Sequence, residues 1–164
     1  MLIKVKKYNE NAVIPVKAYD KDFCYDLVAV SEEEIAPNVW KYGFGIGLQI
    51  DRGFQPLLQG KETRTQWGVT LKDLLLDLSI DIRPRSSVWK TGMVLSNCEG
   101  TVDEGYTNEI SAVFYHVMPN MPRFKVGDKI AQMKIGFTFP CDFKLVDELA
   151  DTERGLKGYG SSGR

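Results

Sequence analysis

LLLDLSIDIRP, Leu74 to Pro84, alternates over Leu74 to Ile82, with Leu76, Leu78, Ile80 and Ile82 turned one way and Asp77, Ser79 and Asp81 the other. A period of two sends successive side chains to opposite faces of a pleated chain, so the stretch predicts a half-buried strand that delivers Arg83 and Arg85 to its end. The same period returns on both sides of it. YDLVAV puts Tyr25, Leu27 and Ala29 on one face and Asp26, Val28 and Val30 on the other; ISAVFYHVM alternates from Ile110 until Pro119 and Pro122 close it. WKYGFGIGLQI sets Gly43, Gly45 and Gly47 between Phe44, Ile46 and Leu48, which reads as one strand with a nearly bare face. VGDKIAQMKIGF, from Val126, reads as a turn at Gly127 and Asp128 followed by a strand in which Gln132 is the polar exception. LIKV at 2–5 and VIPV at 13–16 predict short strands, with Pro15 at an edge or strand end. SEEEIAPNV, Ser31 to Val39, reads as an acidic turn with solvated charge, and FPCDFKLVDELADT holds the one plausible helical turn. Many short strands with Gly and Pro turns, and almost no helix, predict an all-β fold, a jelly-roll-like antiparallel β-barrel.

The chain's 164 residues suit one domain, expected over 1–150, with a flexible Gly-rich C-terminal arm at 151–164. A net charge of −1 offers no general field for a nucleic-acid backbone or an anionic membrane, so any anion site must be local. No stretch approaches the roughly 18 apolar residues of a membrane span, and the expected location is cytoplasmic. Cys24, Cys98 and Cys141 are scattered and have only His116 to help, which argues against a disulfide scaffold or structural zinc. His116 reads as a packed or surface strand residue rather than a catalyst.

Candidate chemistry gathers in RPRSSVWKTGMVLSNCEGTVDEGYTNEI, Arg83 to Ile110, where arginine and hydroxyls suit phosphate and a hairpin tip with Asp103 and Tyr106 suits a base and sugar. Asp26, sharing a face with two valines, is either a hydrogen-bonded structural carboxylate or one that helps hold a hydrated cation. The GxGxG pattern at 43–47 lacks the following helix that a dinucleotide loop needs. The tail from Arg154 to Gly163, RGLKGYGSSG, combines fixed cations, Tyr159 and glycines. It reads either as an anion nest that folds over ligand or as a flexible tail or linker scar.

In order along the chain, YDLVA at 25–29, PRSS at 84–87, NCEGTVDEGYTNEI at 97–110, GDKIAQM at 127–133 and RGLKGYGSSG at 154–163 resemble the five motifs of the trimeric dUTP pyrophosphatases, the dUTPases. The resemblance implies a homotrimer with active sites shared between subunits, and Mg²⁺-assisted water attack on the α-phosphorus of dUTP giving dUMP and pyrophosphate. That reaction limits uracil incorporation into DNA and supplies dUMP for thymidylate synthesis. By position it implies Asp103 as the general base, Asp26 as the Mg²⁺ holder through water, and Arg85, Ser86 and Gln132 along the phosphates. Gly100, Val102, Tyr106, Glu109 and Ile110 would form the nucleoside site, with Asn97 fixing the base and the Tyr106 ring leaving no room for a 2′-hydroxyl. Arg154, Gly160, Ser161 and Ser162 would close on the outer phosphates, and Tyr159, where the family usually has Phe, would stack on uracil. Ser87 stands where the family has Gly, the segment from Pro84 to Asn97 is one residue short, and Gly105 and Asn108 replace the usual Asp and Gly. Ser87 is a candidate for the phosphate site, although capping a turn suits it better. Residues 54–72 look inserted, as a surface hairpin or lid. The rival readings are a dCTP deaminase, whose glutamate is lacking near Val113, and a non-catalytic nucleotide sensor on the same scaffold.

Overall fold

The computed structural model describes residues 2–51, 77–138, 141–153 and 155. Among these residues ten strands run in order: β1 Leu2–Lys7, β2 Cys24–Val28, β3 Ser31–Ala36, β4 Val39–Gly43, β5 Ile46–Asp51, β6 Asp77–Pro84, β7 Met93–Leu95, β8 Gly100–Val102, β9 Ser111–His116 and β10 Lys129–Thr138. Among the described residues they form two four-stranded sheets, β2-β10-β6-β8 and β3-β4-β9-β7, and a two-stranded ribbon, β1-β5, with every pairing antiparallel. This is the all-β, jelly-roll-like class that the alternation predicts.

The two sheets turn apolar faces to a common core. Leu27, Ile80, Ile82, Ile130, Ala131 and Met133 come from one; Tyr42, Met93, Leu95, Ala112 and Phe114 come from the other. A trio of edge-on rings, Tyr42, Phe114 and Phe124, packs within the core, with centroids 5.5–6.3 Å apart. Consecutive Ile130 and Ala131 are both buried, which simple alternation forbids; a shift of register between Lys129 and Ala131 makes room for both. His116 is packed, its Nε2 3.0 Å from the Met121 carbonyl oxygen.

Several local expectations change. The acidic stretch at 31–36 is an edge strand joined to β4 through Asn38, whose φ is 61°. Charged side chains are what an edge strand tolerates, and the sequence pattern hides the strand for that reason. Its Glu32 turns to Arg123, 2.9 Å away, rather than to water alone. WKYGFGIGLQI is two strands in different sheets; Gly45, at φ 66°, turns the chain from one to the other. Of 13–16, Val16 alone makes a β-bridge, to Asp26, since Pro15 has no N–H to offer. Residues 141–153 form no helix: their side chains are exposed, Phe143 at 98%, and a short amphipathic turn without a face to bury does not persist. The segment from 97 to 110 is not a simple hairpin, because β8 pairs with β6 while β9 pairs with β4 and β7. It crosses from one sheet to the other. The expected lid at 54–72 lies outside the described residues.

Candidate active site

The crossing from β8 to β9 opens a cleft of about 220 Å³. Ile82, Leu95, Ile110 and Ala112 make its apolar floor, Gly100 to Val102 one wall, and Asn97, Asp103 and Tyr106 its polar lip. Cross-strand pairing of Ile82 with Gly100 fixes the wall against the floor. Gly100 lets the Asn97 side chain lie close against the wall: a Cβ there would stand 2.9 Å from the Asn97 Nδ2 and push that side chain aside. The Tyr106 N–H donates to the Asp103 carbonyl (2.9 Å), closing a tight turn that holds ring and carboxylate on the same lip. The Tyr106 hydroxyl donates to the Glu109 carbonyl (2.9 Å). Glu109 itself faces away: its carboxylate accepts the Gly45 N–H at 2.8 Å, and it is not part of the cleft lining.

Asp26, Arg85 and Gln132 gather elsewhere. Gln132 on β10 lies in register with Asp26 on β2 and with Arg83 on β6. Arg85 donates to one Asp26 oxygen at 2.6 Å, Lys129 to the other at 2.9 Å, and the Gln132 amide donates to the Pro84 carbonyl at 3.2 Å. The Asp26 side chain is only 10% exposed. Two cations on one carboxylate leave a local surplus of positive charge, which suits an anion. Ser86 and Ser87 are exposed in the first turn of a 3-10 segment, Ser86–Lys90, that follows Arg85 directly. Arg154, Tyr159, Gly160, Ser161 and Ser162 lie outside the described residues.

The two groups occupy opposite faces of one sheet. On β6 the alternation sends Ile82 into the core, where it floors the cleft, and Arg83 outward beside Gln132. Arg83 also pairs with Glu99, its Nε donating at 2.8 Å, and this partner raises the basicity of its guanidinium. The pair ties the cationic face to the turn that opens the cleft. Sequence reasoning missed Lys129 because it lies beside a register shift in β10 that simple alternation does not reveal. Among the described residues no group of three or more His, Cys, Asp or Glu side chains is gathered to hold a metal ion. No helix among them is long and apolar enough to cross a membrane.

Fold and site together define an all-β protein with a carboxylate-lipped cleft and a separate cationic cluster. The dUTPase family model matches residues 76–163. The deoxyuridine 5'-triphosphate nucleotidohydrolase of Clostridium novyi (strain NT) is 34% identical over 165 residues, covering 99% of each chain. That of Helicobacter pylori (strain ATCC 700392 / 26695) is 30% identical, covering 99% of this chain and 97% of its own. Among solved structures, a dUTPase of Staphylococcus bacteriophage 80alpha with dUpNHpp superposes with a TM-score of 0.74 at 20% identity, over 99% of both chains. A dUTPase of phage phi11 of S. aureus, described with a structural Mg(II) ion, superposes with a TM-score of 0.64 at 17% identity, over 92% of this chain and 100% of its own. The chain belongs to the dUTPase family.

Proposed function

We propose that the protein hydrolyses dUTP to dUMP and pyrophosphate, with the nucleoside in the cleft and the triphosphate on the Arg85 face of another subunit. The observation that carries this reading is Asp103 beside Tyr106 and Asn97 on the lip of a cleft sized for one base and its sugar, in a chain whose full-length relatives are named for that reaction. Backbone groups of Gly100 to Val102 can meet the uracil edge, which cytosine's donor pattern does not match, and unpaired polar groups penalise the wrong base strongly. The Tyr106 ring under the deoxyribose excludes a 2′-hydroxyl. Asp103 takes the proton of the attacking water. Arg85, Ser86 and Gln132 orient the phosphate oxygens, and Arg154, Gly160, Ser161 and Ser162, with Tyr159 on the base, close over the ligand.

Asp26 is the residue that would hold Mg²⁺, through water. A resident ion fits poorly here, because Arg85 and Lys129 occupy both Asp26 oxygens; an ion that arrives with the triphosphate fits, since one carboxylate plus substrate oxygens is an ordinary Mg²⁺ environment. When bound, the metal would neutralise charge on the phosphates and the leaving pyrophosphate. Lys129, on the second Asp26 oxygen, would then be a cation for that carboxylate to share with the phosphates.

Assembly as a homotrimer is part of the proposal. Cleft and cationic cluster face opposite sides of one sheet, and exposed Phe143, Leu145 and Leu149 call for a neighbour's surface. Purified protein incubated with Mg²⁺ and separately with dUTP, dCTP, dTTP or UTP should release pyrophosphate from dUTP alone. Asp103→Asn should abolish that release while a non-hydrolysable dUTP analogue still binds. Ammonia from dCTP would indicate the deaminase, and dUTP binding without product would indicate a sensor.

A further inference from the structure

The glycines of WKYGFGIGLQI form no phosphate loop, and the reaction leaves them unused. They lie against the segment behind the cleft. A Cβ on Gly47 would stand 2.5 Å from the Thr107 carbonyl oxygen, 2.7 Å from the Tyr8 ring and 3.0 Å from the Asn108 carbonyl oxygen. One on Gly43 would stand 2.6 Å from a Glu109 carboxylate oxygen. Residues 107–109 therefore rest on the bare backbone of the crossover, closer than any side chain there would permit.

Two polar contacts fix them in that seat. The Glu109 carboxylate accepts the Gly45 N–H, and the Tyr8 hydroxyl donates to the Thr107 carbonyl at 2.7 Å, across 99 positions of sequence. Tyr8 is itself anchored: its N–H donates to the Gly45 carbonyl at 2.7 Å, and the Lys6 ammonium sits 4.4 Å from its ring centre. Thr107 follows Tyr106, the ring on the cleft lip, and Ile110 in the cleft floor comes three residues later. A second cavity of about 240 Å³, lined by Tyr8, Gly47 and Thr107 among others, opens behind this contact. On that side the Tyr8 hydroxyl is the side-chain partner of the Thr107 carbonyl, while the Ile110 N–H donates to the Ile46 carbonyl at 2.8 Å farther along.

We infer that Tyr8, seated on Gly47, is a positioning residue for the nucleoside cleft, although it touches no substrate and lies outside all five motifs. By holding the Thr107 carbonyl it sets where the Tyr106 ring meets the sugar. This inference rests on the dUTP reading. Tyr8→Phe keeps the ring on Gly47 and removes only the hydroxyl.

With Tyr8→Phe, the KM for dUTP and the Kd of the α,β-imido analogue should both rise about three- to tenfold while kcat stays within about twofold, because the contact serves ground and transition states alike. Gly47→Ala, whose methyl collides with the Thr107 carbonyl, should raise both constants further in the same direction. Unchanged KM and Kd in Tyr8→Phe, whatever its melting temperature, would overturn the inference, as would a fall in kcat alone. Wild-type protein that releases no pyrophosphate from dUTP would refute the functional reading; an active wild type matched by Tyr8→Phe would refute only the positioning role.

Discussion

Glu32→Ala removes the partner of a guanidinium that the fold holds on several sides. Arg123 donates to Glu32 at 2.9 Å and to the Phe124 carbonyl at 3.0 Å, and its guanidinium carbon lies 3.5 Å from the Trp40 ring centre. The Glu32 and Arg123 side chains are 24% and 15% exposed, so the pair is partly, not wholly, withdrawn from water. Breaking a fully buried pair costs about 3–5 kcal/mol, and a charge-assisted bond contributes about 1.5–3. With Trp40 and the Phe124 carbonyl still engaging Arg123, the loss should be about 1.5–2.5 kcal/mol, a fall in melting temperature of roughly 4–8 °C for a chain of this size. The effect has a pH signature. The Arg123 bond, opposed by burial and aided by the charges of Arg123 and Lys125, holds the Glu32 carboxyl below its ordinary value of 4.5. A depressed folded-state pKa gives stability that is complete above the unfolded value and is lost as pH falls through the folded one. Thermal melts followed by circular dichroism should show the full gap near neutral pH and a closing gap below about pH 4.5. A variant that melts with wild type at neutral pH, or a gap unchanged at about pH 3, would refute this account.

Gly45→Ala should be more damaging than an ordinary surface change: φ is 66° there, and the new Cβ would meet Asn9 and Val30 at 2.8 Å and Ala12 at 3.0 Å. A loss of about 2–4 kcal/mol by denaturant titration is expected, and a loss below about 1 kcal/mol would contradict the crowding. Asp26→Asn should leave dUTP hydrolysis demanding about tenfold more Mg²⁺ for half-maximal rate, read from a metal titration, whereas superimposed titration curves would remove Asp26 from the metal's surroundings.

The strand LSIDI was legible because one of its faces is buried, and burial writes period two into the sequence. The crossover at Gly45 was not, because Tyr42 to Leu48 are buried throughout and the period runs through the turn unbroken. β3 was hidden by the charges that an edge permits. In the site, Asn97, Asp103 and Tyr106 were found together because they are close in sequence, and they do share one cleft. The placing of Arg83 and Ile82 on opposite faces follows from simple alternation. Lys129 and Tyr8 were beyond reach: one sits at a register shift, and the other acts on a residue 99 positions away.

The acidic edge strand bears on self-association. Among the described residues β3 is paired with β4 alone, so its other side is a sheet edge of the kind that can add a strand. A second copy offering the same edge antiparallel would bring the glutamates of Ser31–Ala36 close to their own kind, and like charges facing one another across a strand pair repel. Sheet growth between copies is opposed along this edge by the charges the edge itself carries.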